Sequence, residues 1–318
     1  MNDSPWCEKY RPKHFDDVIL DPHNRKIFNN ILEKGKFPHL LFYGPPGAGK
    51  TTSAENLINS YQTMHHKRNK ETIIHLNASD ERGIEVIRNQ IHQFVKSNNM
   101  FETGYKFVIL DEVDYMTKNA QQALKNLLQF CSDNVRFCLI CNYICKIDES
   151  LKNEFICVRF NHLPLTEIVT FIQNIASKEK LTINNDVVYG IQKMFQSDIR
   201  SMVNFLQLHQ DEQNWEKYIV NDEIFETLFD MFQNNTDPAY IQSWVERITI
   251  HEGIMDIRCF IEKYYNYIIH KQPTHLNYKL LNHAEELLHP EEINQYMLPY
   301  FVWSNITTAS EASHNPHV

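Results

Sequence analysis

The stretch HLLFYGPPGAGKTT, from His39 to Thr52, decides the fold of this 318-residue chain. Its opening, HLLFY, is an apolar run of strand length. Three of the chain's eight glycines (Gly44, Gly47 and Gly49) then fall within six residues, and Lys50 and Thr51 follow at once. The spacing satisfies G-x-x-x-x-G-K-[ST] between a predicted strand and a predicted helix, the context that gives this motif its meaning. Glycines let consecutive backbone N–H groups curl around the β- and γ-phosphates of a nucleotide, and the helix N-terminus adds its positive dipole end. Gly44, Pro45, Pro46, Gly47, Ala48, Gly49, Lys50, Thr51 and Thr52 are therefore expected to hold ATP. In that arrangement Lys50 is a mobile cation and the Thr51 hydroxyl a ligand of Mg2+.

Working outward, TIIHLNA, KFVILDEVD and VRFCLICNY read as further buried strands. NRKIFNNILEKG, TTSAENLINSY, GIEVIRNQIHQFV and NAQQALKNLLQF read as helices between them. This alternation predicts an α/β domain, a parallel sheet covered by helices on both faces, with its ligand beyond the carboxyl ends of the strands. The polar QTMHHKRNKE reads as a surface loop. After Phe160 the strand pattern stops. Ile168, Phe171, Ile172 and Ile175 recur at helical spacing behind Pro164, and DVVYGIQKMF and DIRSMVNFLQLH continue a small helical domain. From Phe229 the pattern stays helical with large aromatic faces, as in CFIEKYYNYIIHK, and the polar tail TTASEASHNPHV is expected to fray. The expected boundaries are 1–160 for the P-loop domain, 161–228 for a helical lid and 229–318 for an all-α C-terminal domain.

The net charge of −9 is unevenly distributed: residues 1–160 balance at +2 and residues 161–318 at −11. The first half is thus free to present local basic stripes to phosphates. No run of eighteen apolar residues exists and the first residues lack a signal-peptide layout, so the expectation is an intracellular, soluble protein with no membrane contact. The seven cysteines form no spaced framework. Cys138, Cys141 and Cys145 invite a zinc reading, but strand alternation puts Cys138 and Cys141 on opposite faces, which favours reduced thiols used as small core residues.

KFVILDEVD supplies the other half of the nucleotide site. The strand ends at Asp111-Glu112, so both carboxylates emerge where the phosphates lie. Asp111 is expected to hold Mg2+ through water and Glu112 to polarise the attacking water. Asn142, at the end of the next strand, is placed to touch the γ-phosphate or orient that water. Arg200, opening a helix of the lid, can reach the phosphates and report the γ-group.

PWCEKYRP, LLFYGPPGAGKTT, LNASDERGI, LDEVDYMT, CLICNY and DIR occur in that order. Over roughly residues 5–207 the set resembles the replication factor C family of sliding-clamp loaders, in the AAA+ ATPase class. The resemblance implies a P-loop AAA+ domain, a helical lid and an all-α collar. It also implies a hetero-pentamer that opens a sliding clamp, places it on primer–template DNA and releases it on ATP hydrolysis. Such a subunit is an ATPase only within the assembly, at the site of DNA replication; no import cluster specifies the compartment. Carried over, Tyr10 and Arg11 line the adenine pocket, Asn142 and Arg200 are the two sensors, and Arg82, Arg88 and Lys118 face DNA. Ile91, Phe94, Met100 and Phe101 lie where family members touch the clamp, and core packing explains them equally well. Ser197 replaces the usual glycine before Asp-x-Arg, a mild change for a residue that caps helices well.

Two departures matter. Family small subunits carry Ser-Arg-Cys before the last strand, and the arginine reaches the neighbour's ATP site. Here the three positions are Asn153, Glu154 and Phe155, so a carboxylate stands where the cation belongs. In QQALKNLLQF, Lys125-Asn126 replaces the usual arginine pair. The chain's own site is equipped for hydrolysis, but it should not complete a neighbour's, which suits an end position in an open arc. Two rival readings remain: a structural subunit that binds ATP without hydrolysing it, and a DNA-remodelling AAA+ ATPase.

Overall fold

The structure, a computed structural model, describes residues 4–65, 70–79, 83–96, 104–131, 133–215, 218–251, 256–289 and 296–314. By compactness the chain divides into two units, Met1–Glu212 and Gln213–Val318.

Among the described residues of the first unit five strands pair in parallel: β1 (Leu40–Tyr43), β2 (Ile73–Asn77), β3 (Lys106–Asp111), β4 (Val135–Cys141) and β5 (Ile156–Arg159). Their order is β2-β3-β4-β1-β5, which puts the P-loop strand β1 and the acidic strand β3 on either side of β4. The register sets Tyr43 beside Cys141 and Arg159, so the loops that follow β1, β4 and β5 leave the sheet at one edge. Ahead of β1 lie α1 (Trp6–Lys9) and α2 (Pro22–Lys34); the crossovers that parallel pairing requires carry α3 (Lys50–His65), α4 (Gly83–Lys96), α5 (Lys118–Phe130) and α6 (Glu149–Lys152). α2 shows how locally the ends are specified. The Asp21 carboxylate accepts from the His23 and Asn24 N–H groups at one end, and Gly35 terminates the other at φ +63°.

Two-residue alternation divides the core between the faces. Leu40, Phe42, Ile109, Cys138 and Ile140 pack with Phe28, Leu57 and Tyr61 of α2 and α3. Leu41, Val108, Leu110, Leu139 and Cys141 pack with Ile91 and Leu124 of α4 and α5. Cys138 and Cys141 therefore lie on opposite faces, as the alternation requires. Burial pushes both thiols up, Cys141 to about 12. The reading of all the cysteines as core residues holds only for these two, because Cys145 and Cys157 are exposed and Cys7, Cys131 and Cys259 half-buried. Among the described residues no group of three or more His, Cys, Asp or Glu side chains is placed to hold a metal ion by itself.

The region read as a loop from Gln62 is helical through His65. Gln62 is buried, Tyr61 donates to the Gly35 carbonyl at 2.6 Å, and the His65 ring meets the Leu32 carbonyl, so tertiary contacts carry the helix past its polar sequence. Beyond β5 come α7 (Leu165–Glu179), α8 (Asn185–Phe195) and α9 (Ile199–Leu208). Ile168, Ile172 and Ile175 are buried as their spacing implies; Phe171 is not fully so.

The second unit is helical among its described residues: α10 (Asp222–Gln233), α11 (Pro238–Glu246), α12 (Ile257–Lys271), α13 (Tyr278–Leu288) and α14 (Met297–His314). Its centre is aromatic, with Tyr264 edge-on to Phe232 and Phe301 at centroid distances of 5.7 and 5.3 Å. The tail read as frayed is instead part of α14 as far as His314, and Thr308 and Ala309 are buried in it. Among the described residues no helix is long and apolar enough to cross a membrane.

Candidate nucleotide site

The P-loop leaves β1 at Gly44 and enters α3 at Lys50. Two of its glycines are required by contact as well as by conformation. Gly44 has φ +146°, and a Cβ there would lie 2.1 Å from the Phe160 carbonyl oxygen. Gly47 has φ +69°, and a Cβ there would lie 1.7 Å from Asp198 Oδ1. The turn is thus pressed between the end of β5 and the start of α9, and the Ile199 N–H donates to the Gly47 carbonyl at 3.2 Å. Asp198, rather than Ser197, caps α9: its carboxylate accepts from the Ser201 N–H at 3.0 Å and from the Ser201 hydroxyl at 2.8 Å. The Ser197 hydroxyl accepts instead from the Leu163 N–H, tying the chain before α7 to the turn before α9.

Lys50 is buried, and its Nζ donates at 2.8 Å to three oxygens, the Gly44 and Pro45 carbonyls and Asn142 Oδ1. Burial holds its ammonium below the ordinary lysine range, while Asp111 pulls the other way. The Thr51 hydroxyl donates to Asp111 Oδ2 at 2.7 Å. Residues 50, 51, 111 and 142, distant in sequence, are brought together because β3 and β4 run parallel to β1. Asn142 is itself positioned. The buried Asp114 carboxylate accepts from the Asn142 and Tyr143 N–H groups, each at 3.3 Å, so a side chain of the β3 loop holds the turn after β4. Glu112 sits at φ 57°, a left-handed conformation that is uncommon for a residue with a side chain. Such strain, about 1–3 kcal/mol, is characteristic of functional turns.

These groups share one cavity of about 330 Å3 at the carboxyl edge of the sheet. Pro46, Gly47, Gly49, Lys50, Thr51 and Thr52 line it from the P-loop, and Asp111, Glu112 and Asn142 from the strand ends. Tyr10 and Arg11 line it from the N-terminal segment and Arg200 from α9. Gly44 and Pro45 reach the site through their carbonyls on Lys50, and Ala48 is wholly buried beneath it. Arg200 stands in the first turn of its helix, where a cation opposes the dipole and local stability gives no reason for one.

Residues the sequence pattern did not reveal also line the cavity: Val18, Ile19, Glu55, His75, Phe171 and Val203. Phe171 shares the spacing of the α7 core residues, which masks it. Glu55 and His75 come from α3 and β2 with no motif around them; their contact at 3.2 Å is visible only in the fold.

Thr51 and Asp111 fit a magnesium ion, being a hydroxyl and a carboxylate side by side. They are hard oxygen donors of the kind that share Mg2+ with substrate phosphates and water.

The remaining sequence-derived candidates lie elsewhere. Lys118 is exposed at the first residue of α5. Arg88 belongs to α4, but its side chain lies outside the described residues, as do Arg82, Met100 and Phe101 entirely. Ile91 is buried and Phe94 packs against the same core face, so both have a structural role. Glu154 lies just before β5, at the amino edge of the sheet, in a cleft with His39 and Arg136.

Residues 40–162 match the AAA family, the ATPase family associated with various cellular activities. Over 208 residues the chain is 39% identical to replication factor C small subunit 2 of Pyrobaculum islandicum, covering 65% of this chain and 64% of the relative. Human replication factor C subunit 5 is 38% identical over 205 residues, covering 64% of this chain and 59% of its own length. Replication factor C subunit 3 of Saccharomyces cerevisiae is 38% identical over 203 residues, with coverages of 64% and 59%. The matched segments thus span less than two thirds of these relatives. Among solved structures, a point variant of Thermotoga maritima RuvB superposes with a TM-score of 0.54 at 17% identity, covering 94% of this chain and 91% of the other. That likeness shows the fold alone.

Proposed function

From a chain that carries an AAA-family ATPase domain and is similar over 65% of its length to replication factor C small subunits, we propose a clamp-loader subunit. It belongs to an ATP-dependent hetero-pentamer that opens a sliding clamp and sets it on primer–template DNA where DNA is replicated. The observation that carries the reading is the convergence of Lys50, Thr51, Asp111, Glu112, Asn142 and Arg200 on one cavity of that ATPase domain. Lys50 meets the β- and γ-phosphates, Thr51 and Asp111 hold Mg2+, and Glu112 orients the attacking water. Asn142 and Arg200 sense the γ-phosphate. Bound Mg2+ supplies charge neutralisation of the phosphate oxygens; the protein supplies position.

In this reading residues 1–160 are the P-loop domain, 161–228 the lid and 229–318 the collar that joins neighbouring subunits. Arg82, Arg88 and Lys118 contact DNA phosphates. Glu154 lines a different cleft from the chain's own nucleotide cavity, which supports a role toward a neighbour's site. A carboxylate there withholds the arginine that is worth about 10³–10⁵ in rate to the site it reaches. The chain's own site, in turn, depends on an arginine from another subunit, which makes hydrolysis a property of the assembly with clamp and DNA.

The test is co-expression with candidate partner subunits, followed by ATPase assays with and without clamp and primed DNA. Stimulated turnover is expected, with this subunit's share abolished by Glu112→Gln while ATP retention under magnesium persists. Turnover indifferent to clamp and DNA would remove the clamp-loader reading. Stimulated turnover unchanged by Glu112→Gln would reduce the subunit to one that binds ATP only.

A further inference from the structure

Two consecutive residues at the nucleotide cavity are gripped from different elements. The Tyr10 hydroxyl and the Lys9 ammonium both bond to the Glu179 carboxylate, at the last residue of α7. Lys178 stands over the Tyr10 ring at 5.6 Å, and the Trp6 N–H donates to Gln207 Oε1 of α9 at 2.8 Å. The next residue faces α3, the P-loop helix. Arg11 Nε donates to Thr52 Oγ1 at 3.2 Å, its guanidinium pairs with Glu55 at 3.0 Å, and Asn56 Nδ2 donates to the Pro12 carbonyl at 3.0 Å. Glu55 is completed by His75 at 3.2 Å. Buried Trp6 packs edge-on to Tyr10 at 6.3 Å and anchors the segment.

Neither carboxylate is where local stability would put it. A glutamate at the last position of a helix opposes the dipole, as Glu179 does in α7. Glu55 is half-buried on the face of α3 turned to the cavity, where a solvated charge has no reason to be. Such breaches of local rules concentrate at functional positions. Here both carboxylates meet the same short segment, and that segment lines the cavity with Tyr10, Arg11 and Pro12.

We infer that residues 5–12 form a strap bridging α7 and α9 to the P-loop helix along the cavity wall. Glu179, acting through Tyr10, and Glu55, acting through Arg11, are the positioning residues that hold it. The inference rests on the nucleotide reading of the cavity. The resemblance already sets Tyr10 and Arg11 beside the base; the geometry adds the two carboxylates that hold these side chains, so their loss should be felt at the base and ribose and not at the phosphates. Apolar Val18, Ile19 and Phe171 line the same cavity and suit a base.

The two ideas separate in one experiment on the full chain. The equilibrium affinity of a fluorescent ATP analogue is measured, together with its displacement by inorganic tripolyphosphate, which has phosphates but no base. Glu179→Gln and Glu55→Gln should each weaken the ATP analogue about three- to tenfold, the loss of one charge-assisted bond, and leave tripolyphosphate displacement unchanged. Tyr10→Phe reads the Glu179 contact from the strap side and should match Glu179→Gln without adding to it. Lys50→Ala should weaken both ligands. Unchanged ATP affinity in either glutamate variant, or equal weakening of ATP and tripolyphosphate, overturns the strap and leaves the nucleotide reading standing. Unchanged binding in Lys50→Ala overturns the nucleotide reading, and the strap with it.

Discussion

Replacing Gly47 with alanine should destabilise the first unit by about 2–4 kcal/mol, through two separable causes. The first is conformational. Gly47 sits at φ +69°, and a left-handed residue with a Cβ costs about 1–2 kcal/mol. The second is contact. The new Cβ would lie 1.7 Å from Asp198 Oδ1 and 2.4 Å from its Cγ, so the carboxylate must swing away. That carboxylate caps α9 through Ser201, and a lost N-cap costs about 1 kcal/mol, within a range of about 0.5–2. Removing the Asp198 side chain first should therefore relieve the second cause. In an Asp198→Ala background, Gly47→Ala should cost only about 1–2 kcal/mol, leaving a coupling of about 1–2 kcal/mol between the sites. Urea unfolding of the four proteins measures this, provided the slope with denaturant stays constant. Amide exchange over α9 shows whether the lost protection lies where the cap is lost. Costs that add to within about 0.5 kcal/mol would mean that Asp198 and the Gly47 turn are not coupled, since independent sites behave that way.

Asp114→Ala strips the acceptor from the Asn142 and Tyr143 N–H groups. An unsatisfied buried donor costs about 1–3 kcal/mol, so these amides should exchange about tenfold faster or more; unchanged exchange would mean the turn holds itself. The His75 hydrogen bond foremost, and then Arg11, hold the Glu55 carboxyl below its ordinary value of 4.5 against the opposing effect of burial. A depressed carboxyl contributes stability that is fully present above the ordinary value and lost as pH falls through the folded one. Glu55→Gln should therefore flatten the acid limb of the urea midpoint below pH 4.5, with no change of slope near neutrality. Parallel acid limbs for the two proteins would refute it.

Four of the five described strands, the P-loop and the acidic strand end are legible in the sequence, because each is written in a local pattern; β5, short and exposed at three of its four residues, is not. HLLFY, KFVILD and VRFCLIC are apolar runs that strand pairing must bury, and the phosphate loop needs its glycines and lysine in immediate succession. Local pattern misjudges the polar ends of α3 and α14, where burial of Gln62 and Thr308 extends the helices against their composition. The long-range encounters arise only on folding: Lys50 on Asn142, Thr51 on Asp111, Asp198 against Gly47, Tyr10 on Glu179. Each joins residues from elements that are separate in sequence, so no periodicity records it. The left-handed turn at Glu112 is of the same kind, a local cost sustained by packing around it. Propensity and pattern act over a few residues, whereas the nucleotide cavity is made where the sheet, α9 and the N-terminal segment close on one another.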